Sequence, residues 1–341
     1  MIISASRRTD IPAFYTDWLL NRLRQGYVLV RNPFNHNQVS RVPLDPQTVD
    51  AIVFWTKNPA PMLPRLEAID RLGYRSYFQF TLTAYDQSLE KNLPAKAERI
   101  AVFQELAQRI GPERVLWRYD PILFTPTFNP VSHLHWFEDL AGQLHGSTRR
   151  CTISFLSLYE KCKRNMQGLE LLAIEAREKI QFVSQLAAIA NKYSIQLCAC
   201  CEAFLHERCG IEAARCIDDR VLASILGQPV RVKKDKGQRP GCGCVASIDI
   251  GAYNTCPHGC RYCYANVSER VVAHNLASHN PASRRCLDRQ RDYHLEENEF
   301  RLLPSVTPIL KRGSPLSWYR RLSGRQPRCA PDSLDRQDRG L

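Results

Sequence analysis

The stretch Val245-Ala-Ser-Ile-Asp-Ile-Gly251-Ala-Tyr-Asn-Thr-Cys256-Pro-His-Gly-Cys260-Arg-Tyr-Cys263-Tyr-Ala-Asn266 sets the reading of the whole chain. Val245–Ile250 is a short apolar run bounded by glycine, the pattern of a buried strand. Seven further runs share that character: Ile2–Ser6, Tyr27–Arg31, Ala51–Thr56, Ser76–Thr83, Val115–Tyr119, Cys151–Leu158 and Ile195–Cys200. Helical spacing lies between them, with Ile100, Phe103, Ala107 and Ile110 on one face and Ile180, Val183, Ala187 and Ala190 on another. Eight short apolar strands separated by helices predict an α/β fold. The expected form is a parallel sheet closed fully or partly into a TIM-like (β/α) barrel. No sharp linker divides residues 1–282, which read as one domain. Residues 283–341 carry twelve Arg and one Lys against eight Asp plus Glu, a net of +5, with little periodicity, and read as a basic irregular tail.

Composition narrows the class. The 341 residues are 44% hydrophobic and 24% charged, which excludes global disorder and collagen-like repeats. No apolar run is long enough to span a bilayer, so no membrane association is expected. The opening residues lack a secretory pattern, so a cytoplasmic location is expected. Fourteen cysteines in a reducing compartment then point to metal binding or catalysis rather than disulfides. The formal charge of +13 suggests an anionic partner only weakly, since the tail holds much of it.

In a barrel of this kind the loops after the strands build the active site. Those positions read Ser6-Arg7-Arg8-Thr9-Asp10, Arg31-Asn32-Pro33, Thr56-Lys57-Asn58-Pro59, Thr81 with Thr83, and Arg118-Tyr119-Asp120-Pro121. Cations beside hydroxyls, amides and carboxylates at four strand ends predict a polar pocket. Arg118 suits a carboxylate and Asp120 a pair of ribose hydroxyls, with Lys57 and Asn58 as the next candidates. Arg8 and Asp10 either face the pocket or pair with each other. Phe78, Phe80, Trp117 and Tyr119 lie on expected strands and read as core. His133 and His135 stand before an expected helix and read as surface residues.

Cys256, Cys260 and Cys263 are spaced so that a short loop can bring each thiolate to a different iron of an iron–sulfur cluster. A fourth cysteine is missing from the run, which leaves one iron open. The alternative is a structural zinc site, which needs four ligands and would recruit His258. A second set, Cys198, Cys200, Cys201, Cys209, Cys216, Cys242 and Cys244, contains enough thiols for an auxiliary cluster or a zinc ion. Cys151, Cys162, Cys286 and Cys329 are isolated and carry no assigned role.

The cysteine loop resembles that of the radical S-adenosylmethionine enzymes, in which CxxxCxΦC has an aromatic residue before the last cysteine. Over most of residues 1–282 the chain also resembles a bacterial family, the domain of unknown function 1848. The residues that carry this second likeness are SRRTDIPAF, VFWTKNP, WRYDPI, CID at 216–218 and GCGCVASIDIGAYNTCPHGCRYCYAN. The resemblance implies a [4Fe–4S] cluster on Cys256, Cys260 and Cys263, whose open iron binds S-adenosylmethionine. One electron would cleave that cofactor to a 5′-deoxyadenosyl radical, which removes hydrogen from a substrate, while Tyr262 shields the cluster or the adenine. Asn58, Arg8 and Asp10 join Tyr262 as expected cofactor contacts, and Arg118, Asp120 and Lys57 as expected catalytic residues. The family pattern selects Cys200, Cys216, Cys242 and Cys244 for a second [4Fe–4S] cluster or zinc ion, leaving Cys198, Cys201 and Cys209 as spares.

The motif usually follows the first barrel strand; here it follows the last, implying a permuted barrel in which Ile2–Ser6 lies beside Val245–Ile250. No Gly-Gly pair occurs, so the usual glycine-rich strand for the cofactor is absent or altered. The expected partners are a small-molecule or peptide substrate and an electron donor such as flavodoxin or ferredoxin. The competing reading is a zinc- or cluster-containing nucleic-acid-binding protein, favoured by the charge. A third, suggested by CRYCYAN, is a nucleic-acid-directed radical enzyme like the photoproduct lyases.

Overall fold

The protein is described here by a computed structural model, covering residues 1–287 apart from His36, Arg231 and Pro240. The strands are β1 (Ile2–Ala5), β2 (Tyr27–Arg31), β3 (Val39–Pro43), β4 (Ala51–Thr56), β5 (Ser76–Thr81), β6 (Val115–Ile122), β7 (Arg150–Phe155), β8 (Gln196–Ala199), β9 (Glu212–Ala213) and β10 (Ile248–Asp249). The helices are α1 (Ile11–Phe14), α2 (Thr16–Gln25), α3 (Leu66–Arg71), α4 (Lys96–Ile110), α5 (Pro130–Gln143), α6 (Glu160–Asn165), α7 (Ala176–Lys192), α8 (Ala203–Cys209), α9 (Asp219–Leu226) and α10 (Glu269–Ala277).

Eight strands form one sheet in the order β10-β1-β4-β5-β6-β7-β8-β9, with every neighbouring pair parallel. Helices connect most of these strands, as parallel pairing requires long crossovers. The expected strand Tyr27–Arg31 exists but does not join this sheet. Only residues 32–38 separate it from β3, too few for a parallel crossover, so the two pair as an antiparallel hairpin. The eighth place in the sheet is taken by β9, which is too short to be seen in the sequence. The expected strand Val245–Ile250 is shortened to Ile248–Asp249. Val245 instead donates its N–H to Ile217 O (3.1 Å) and Ala246 to Lys233 O (2.8 Å). This segment ties residues following β9 to the chain entering β10.

Side chains alternate across the sheet, and the alternation sorts structure from chemistry. On one face Ile3, Ile52, Phe54, Phe78, Phe80, Trp117, Tyr119 and Ile153 are all essentially buried and join the large core with α4, α5 and α7. Trp117 stacks on Phe137 of α5 at 4.8 Å. The four strand aromatics are thus core, as their positions predict. The opposite parity carries Ser4, Trp55, Gln79, Arg118, Asp120, Ser154 and Cys200. A smaller core joins Ile2, Val53, Tyr77 and Leu116 of this face to Cys198, Cys200, Cys216, Cys242 and Cys244.

His133 corrects the expectation of a surface residue. It lies inside α5, wholly buried, with Nδ1 2.7 Å from the Tyr119 hydroxyl and Nε2 3.0 Å from Leu123 O. His135 is exposed, as expected. The helix begins earlier than its apolar pattern suggests, because Asn129 caps it by accepting from Ser132 N at 3.0 Å and Pro130 occupies its first position. Ser283–Cys286 packs on the folded body: Trp18 Nε1 donates to Ser283 O (3.0 Å) and Leu29 N to Arg284 O (2.9 Å). The remainder of the expected tail, residues 288–341, lies outside the described residues.

Candidate functional site

The first and last strands, β1 and β10, lie side by side, with Ile3 paired to Ile248 and Ser4 to Asp249. Asp249 organises this junction. Its carboxylate accepts from Ser4 Oγ (2.9 Å), Ser6 Oγ (2.6 Å), Arg7 N (2.8 Å) and Gly251 N (3.1 Å). The Arg8 side chain leans on the same carboxylate at 3.8 Å and donates to Gly251 O at 3.3 Å. Gly251 is required by contact: a Cβ there would stand 2.1 Å from Ser6 Oγ and 2.6 Å from Ser6 Cβ. Arg8 therefore pairs with Asp249 and not in the suggested bridge to Asp10. Asp10 caps α1 through Ala13 N (3.0 Å) and accepts from Lys57 N (2.7 Å) and His258 Nε2 (2.8 Å).

The cysteine loop is moulded against residues 89–92. Asn92 N donates to His258 O (3.0 Å), Asn92 Nδ2 to Pro257 O (2.8 Å) and Arg261 N to Leu89 O (2.9 Å). Gly259 has φ +70°, in the left-handed region, and a Cβ there would lie 3.0 Å from Asn92 Nδ2. Asn266 closes the loop by donating to Cys256 O at 2.7 Å. His258 thus shapes the loop through Asp10.

Beneath the loop lies Glu90, a residue the sequence gives no reason to select. It is buried, and its Oε1 accepts from Lys57 Nζ (2.8 Å), Thr83 Oγ1 (2.9 Å) and the Tyr262 hydroxyl, while Arg99 reaches Oε2 at 3.3 Å. Burial would raise its pKa, but Lys57 and Arg99 outweigh burial and hold the carboxyl down at about 2. Burial likewise opposes the Lys57 charge, yet Glu90 and Cys260 together raise the ammonium above its usual range. Lys57 also donates to the Tyr262 hydroxyl at 2.9 Å. Cys260 is pushed up to about 12, chiefly by burial, with Lys57 opposing and Glu90 and Cys263 adding to it.

One cavity of about 400 Å³ brings most of the expected residues together. Its walls include Cys256, Cys260 and Cys263 on one side and Cys200, Cys216, Cys242 and Cys244 on another, with Arg8, Asp10, Lys57, Arg118, Asp120 and Tyr262 between. Asn58 is not on its wall; its Oδ1 accepts from Ala60 N (3.3 Å) in the local turn. Both ends of the Arg118 guanidinium are engaged within the chain, one on Cys216 Sγ at 2.8 Å and the other on Asp120, which Ser154 also contacts. Trp55 has the guanidinium carbons of Arg7 and Arg118 each 5.1 Å from its ring centroid. Cys201, Arg239, Trp55 and Asp249 also line the cavity and were not selected by sequence. Asp249 left a readable signal, a carboxylate inside an apolar strand, and Cys201 stands in the second cysteine set; Trp55 and Arg239 left none.

The donor chemistry fits a thiophilic cofactor. Three thiols reach one cavity from a loop held by its backbone, and Thr9 Oγ1, Trp55 Nε1 and His258 Nδ1 on the cavity wall are buried polar atoms without a partner among the described residues. Unpaired buried polar atoms are uncommon and call for a partner. Among the described residues, no three His, Cys, Asp or Glu side chains converge tightly enough to enclose a single metal ion as they stand. No helix among the described residues is long and apolar enough to cross a membrane.

Comparison with known proteins finds no match among curated proteins and none among solved structures. One family model matches, over residues 2–265, which takes in every cysteine of both sets and every strand of the sheet. The chain therefore belongs to the family defined by the domain of unknown function DUF1848.

Proposed function

We propose that the protein is a radical S-adenosylmethionine enzyme acting on a small molecule or peptide. The observation that carries the reading is that Cys256, Cys260 and Cys263 open into a cavity shared with charged strand-end residues. A [4Fe–4S] cluster on these thiolates, when bound, supplies the electron that cleaves S-adenosylmethionine to the hydrogen-abstracting 5′-deoxyadenosyl radical. The chain's own contribution is position and exclusion. Asp10 and Asn92 fix the loop that carries the thiols, and the Glu90–Lys57–Tyr262 group closes its floor in a dry setting. Tyr262 is buried beside Cys260 and Cys263, consistent with shielding. The Asp249 junction holds Arg7 and Arg8 at the cavity rim.

The parallel strand order, and the segment linking the chain after β9 to that before β10, support a permuted barrel. Cys200, Cys216, Cys242 and Cys244 are proposed as a second site for an iron–sulfur cluster or zinc. Phe78, Phe80, Trp117 and Tyr119 are buried, so these strand aromatics offer no exposed surface on which nucleic-acid bases could stack.

The test is anaerobic reduction with dithionite in the presence of S-adenosylmethionine, followed by measurement of 5′-deoxyadenosine. Its formation supports the reading. An intact cluster that yields none overturns it.

A further inference from the structure

The second cysteine set is larger than the family pattern suggests. Cys201, set aside as a spare, has its Sγ 3.7 Å from that of Cys200, which in turn lies 3.9 Å from Cys216 Sγ. The Cys242 thiol interacts with those of Cys200, Cys201 and Cys244, and the Cys244 thiol with that of Cys216. The five thiols form a closed ring drawn from three separate places in the chain. Local backbone geometry supports Cys201's place in it. Its φ of +61° is left-handed, a conformation uncommon for a residue with a side chain, and a Cβ added to Gly241 would lie 3.4 Å from its Cα. Strain of that kind persists where surrounding structure holds it.

Two guanidinium groups face this ring. Arg118 places an N–H 2.8 Å from Cys216 Sγ, a short contact for nitrogen to sulfur and one that favours a thiolate. Arg239 lines the same cavity and its Nη1 donates to Ser157 Oγ at 3.0 Å; burial opposes its charge, and Cys201 and Cys200 favour it. The separations of 3.7 and 3.9 Å put Cys200 Sγ in contact with two further thiols, a density of soft donors that suits a thiophilic metal.

We propose that Cys201 joins Cys200, Cys216, Cys242 and Cys244 in one anionic thiolate metal centre, with Arg118 and Arg239 as its counter-charges. This deepens the proposed second site and assigns Arg118 to that centre rather than to a substrate carboxylate. Because the ring and the cysteine loop share a cavity, the centre faces the substrate.

The test uses the full chain with Cys256, Cys260 and Cys263 all changed to Ala, so that metal on the second site is read alone. Iron, sulfide and zinc are measured after anaerobic purification, followed by the rate of metal loss to a chelator. The expected result is bound metal, iron with sulfide or zinc by analysis. In that background Cys201→Ser, Arg118→Gln and Arg239→Gln should each weaken retention by about 10- to 100-fold, the effect usual for groups that support metal ligands. Cys209→Ser, whose sulfur instead lies 3.6 Å from Ile180 O, should change nothing. Retained far-ultraviolet circular dichroism separates metal loss from unfolding. Absence of metal in a folded triple variant overturns the centre, and wild type that still makes 5′-deoxyadenosine leaves the radical reading standing. Unchanged retention in Cys201→Ser returns that residue to a spare, and unchanged retention in both arginine variants removes their role as counter-charges.

Discussion

The Lys57 ammonium and the Glu90 carboxylate meet at 2.8 Å under the cysteine loop, joined by the Tyr262 hydroxyl that closes over both. Arg99 makes this a buried group of two cations and one carboxylate. Its value lies in completeness, because removing one member strands the others in a low dielectric.

Glu90→Gln leaves Lys57 and Arg99 buried without a counter-charge. The expected loss of stability is about 3–5 kcal/mol, measured by urea unfolding. The acid side follows from the carboxyl held at about 2. Since the folded pKa lies below the unfolded value, its contribution is complete above about pH 4.5 and declines as pH falls towards 2. A variant as stable as wild type at neutral pH would show that the group is dispensable.

His133 should give a second pH dependence at milder acidity. Burial pulls its pKa down to about 4, and Leu123 O only partly offsets that. Neutral imidazole with its proton on Nε2 satisfies Leu123 O while Nδ1 accepts from Tyr119, whereas a second proton would break the Tyr119 contact. Stability is therefore full above about pH 6.5 and falls by about 3 kcal/mol as pH drops to 4. His133→Gln should flatten the curve between those values; a wild-type curve already flat there would contradict the assignment.

Gly251→Ala should displace Ser6 and loosen the Asp249 junction, because the added methyl overlaps the Ser6 side chain. Overpacking of this kind costs about 1–3 kcal/mol. A melting temperature equal to wild type would mean that the junction gives way without cost.

Cys260→Ala should remove the brown colour of one cluster, about four of some eight irons if both sets carry cubanes. It should also abolish formation of 5′-deoxyadenosine. Full iron content in that variant would place the metal elsewhere.

A chain ended after Ala282 should be less stable than one ended after Leu287. It loses the acceptors of Trp18 Nε1 and Leu29 N and uncovers the pocket of buried Cys286. The expected difference is about 2–4 kcal/mol by thermal or urea unfolding. Equal stability of the two would show that these contacts contribute nothing.

The sequence alone determined what local chemistry specifies. Short apolar runs located seven of the eight sheet strands, and the two-residue β9 is too short to make such a run. The spacing in Cys256–Cys263 named a metal-type loop, because loop length and donor type are written in consecutive residues. Placing β1 beside β10 brought Arg7 through Asp10 towards that loop, and the pairing of Ile3 with Ile248 agrees with it. Tertiary structure decided what depends on partners distant in sequence. Tyr27–Arg31 has a strand's pattern, but the length of the following loop chose its partner. Glu90 and Arg239 have ordinary neighbours in sequence and gain meaning only from groups that folding brings close to them. Cys201 differs from a spare thiol only because the fold sets Cys200 and Cys242 against it. Strand alternation is a one-dimensional rule and survives in the sequence; electrostatic pairing is a matter of distance in space and does not.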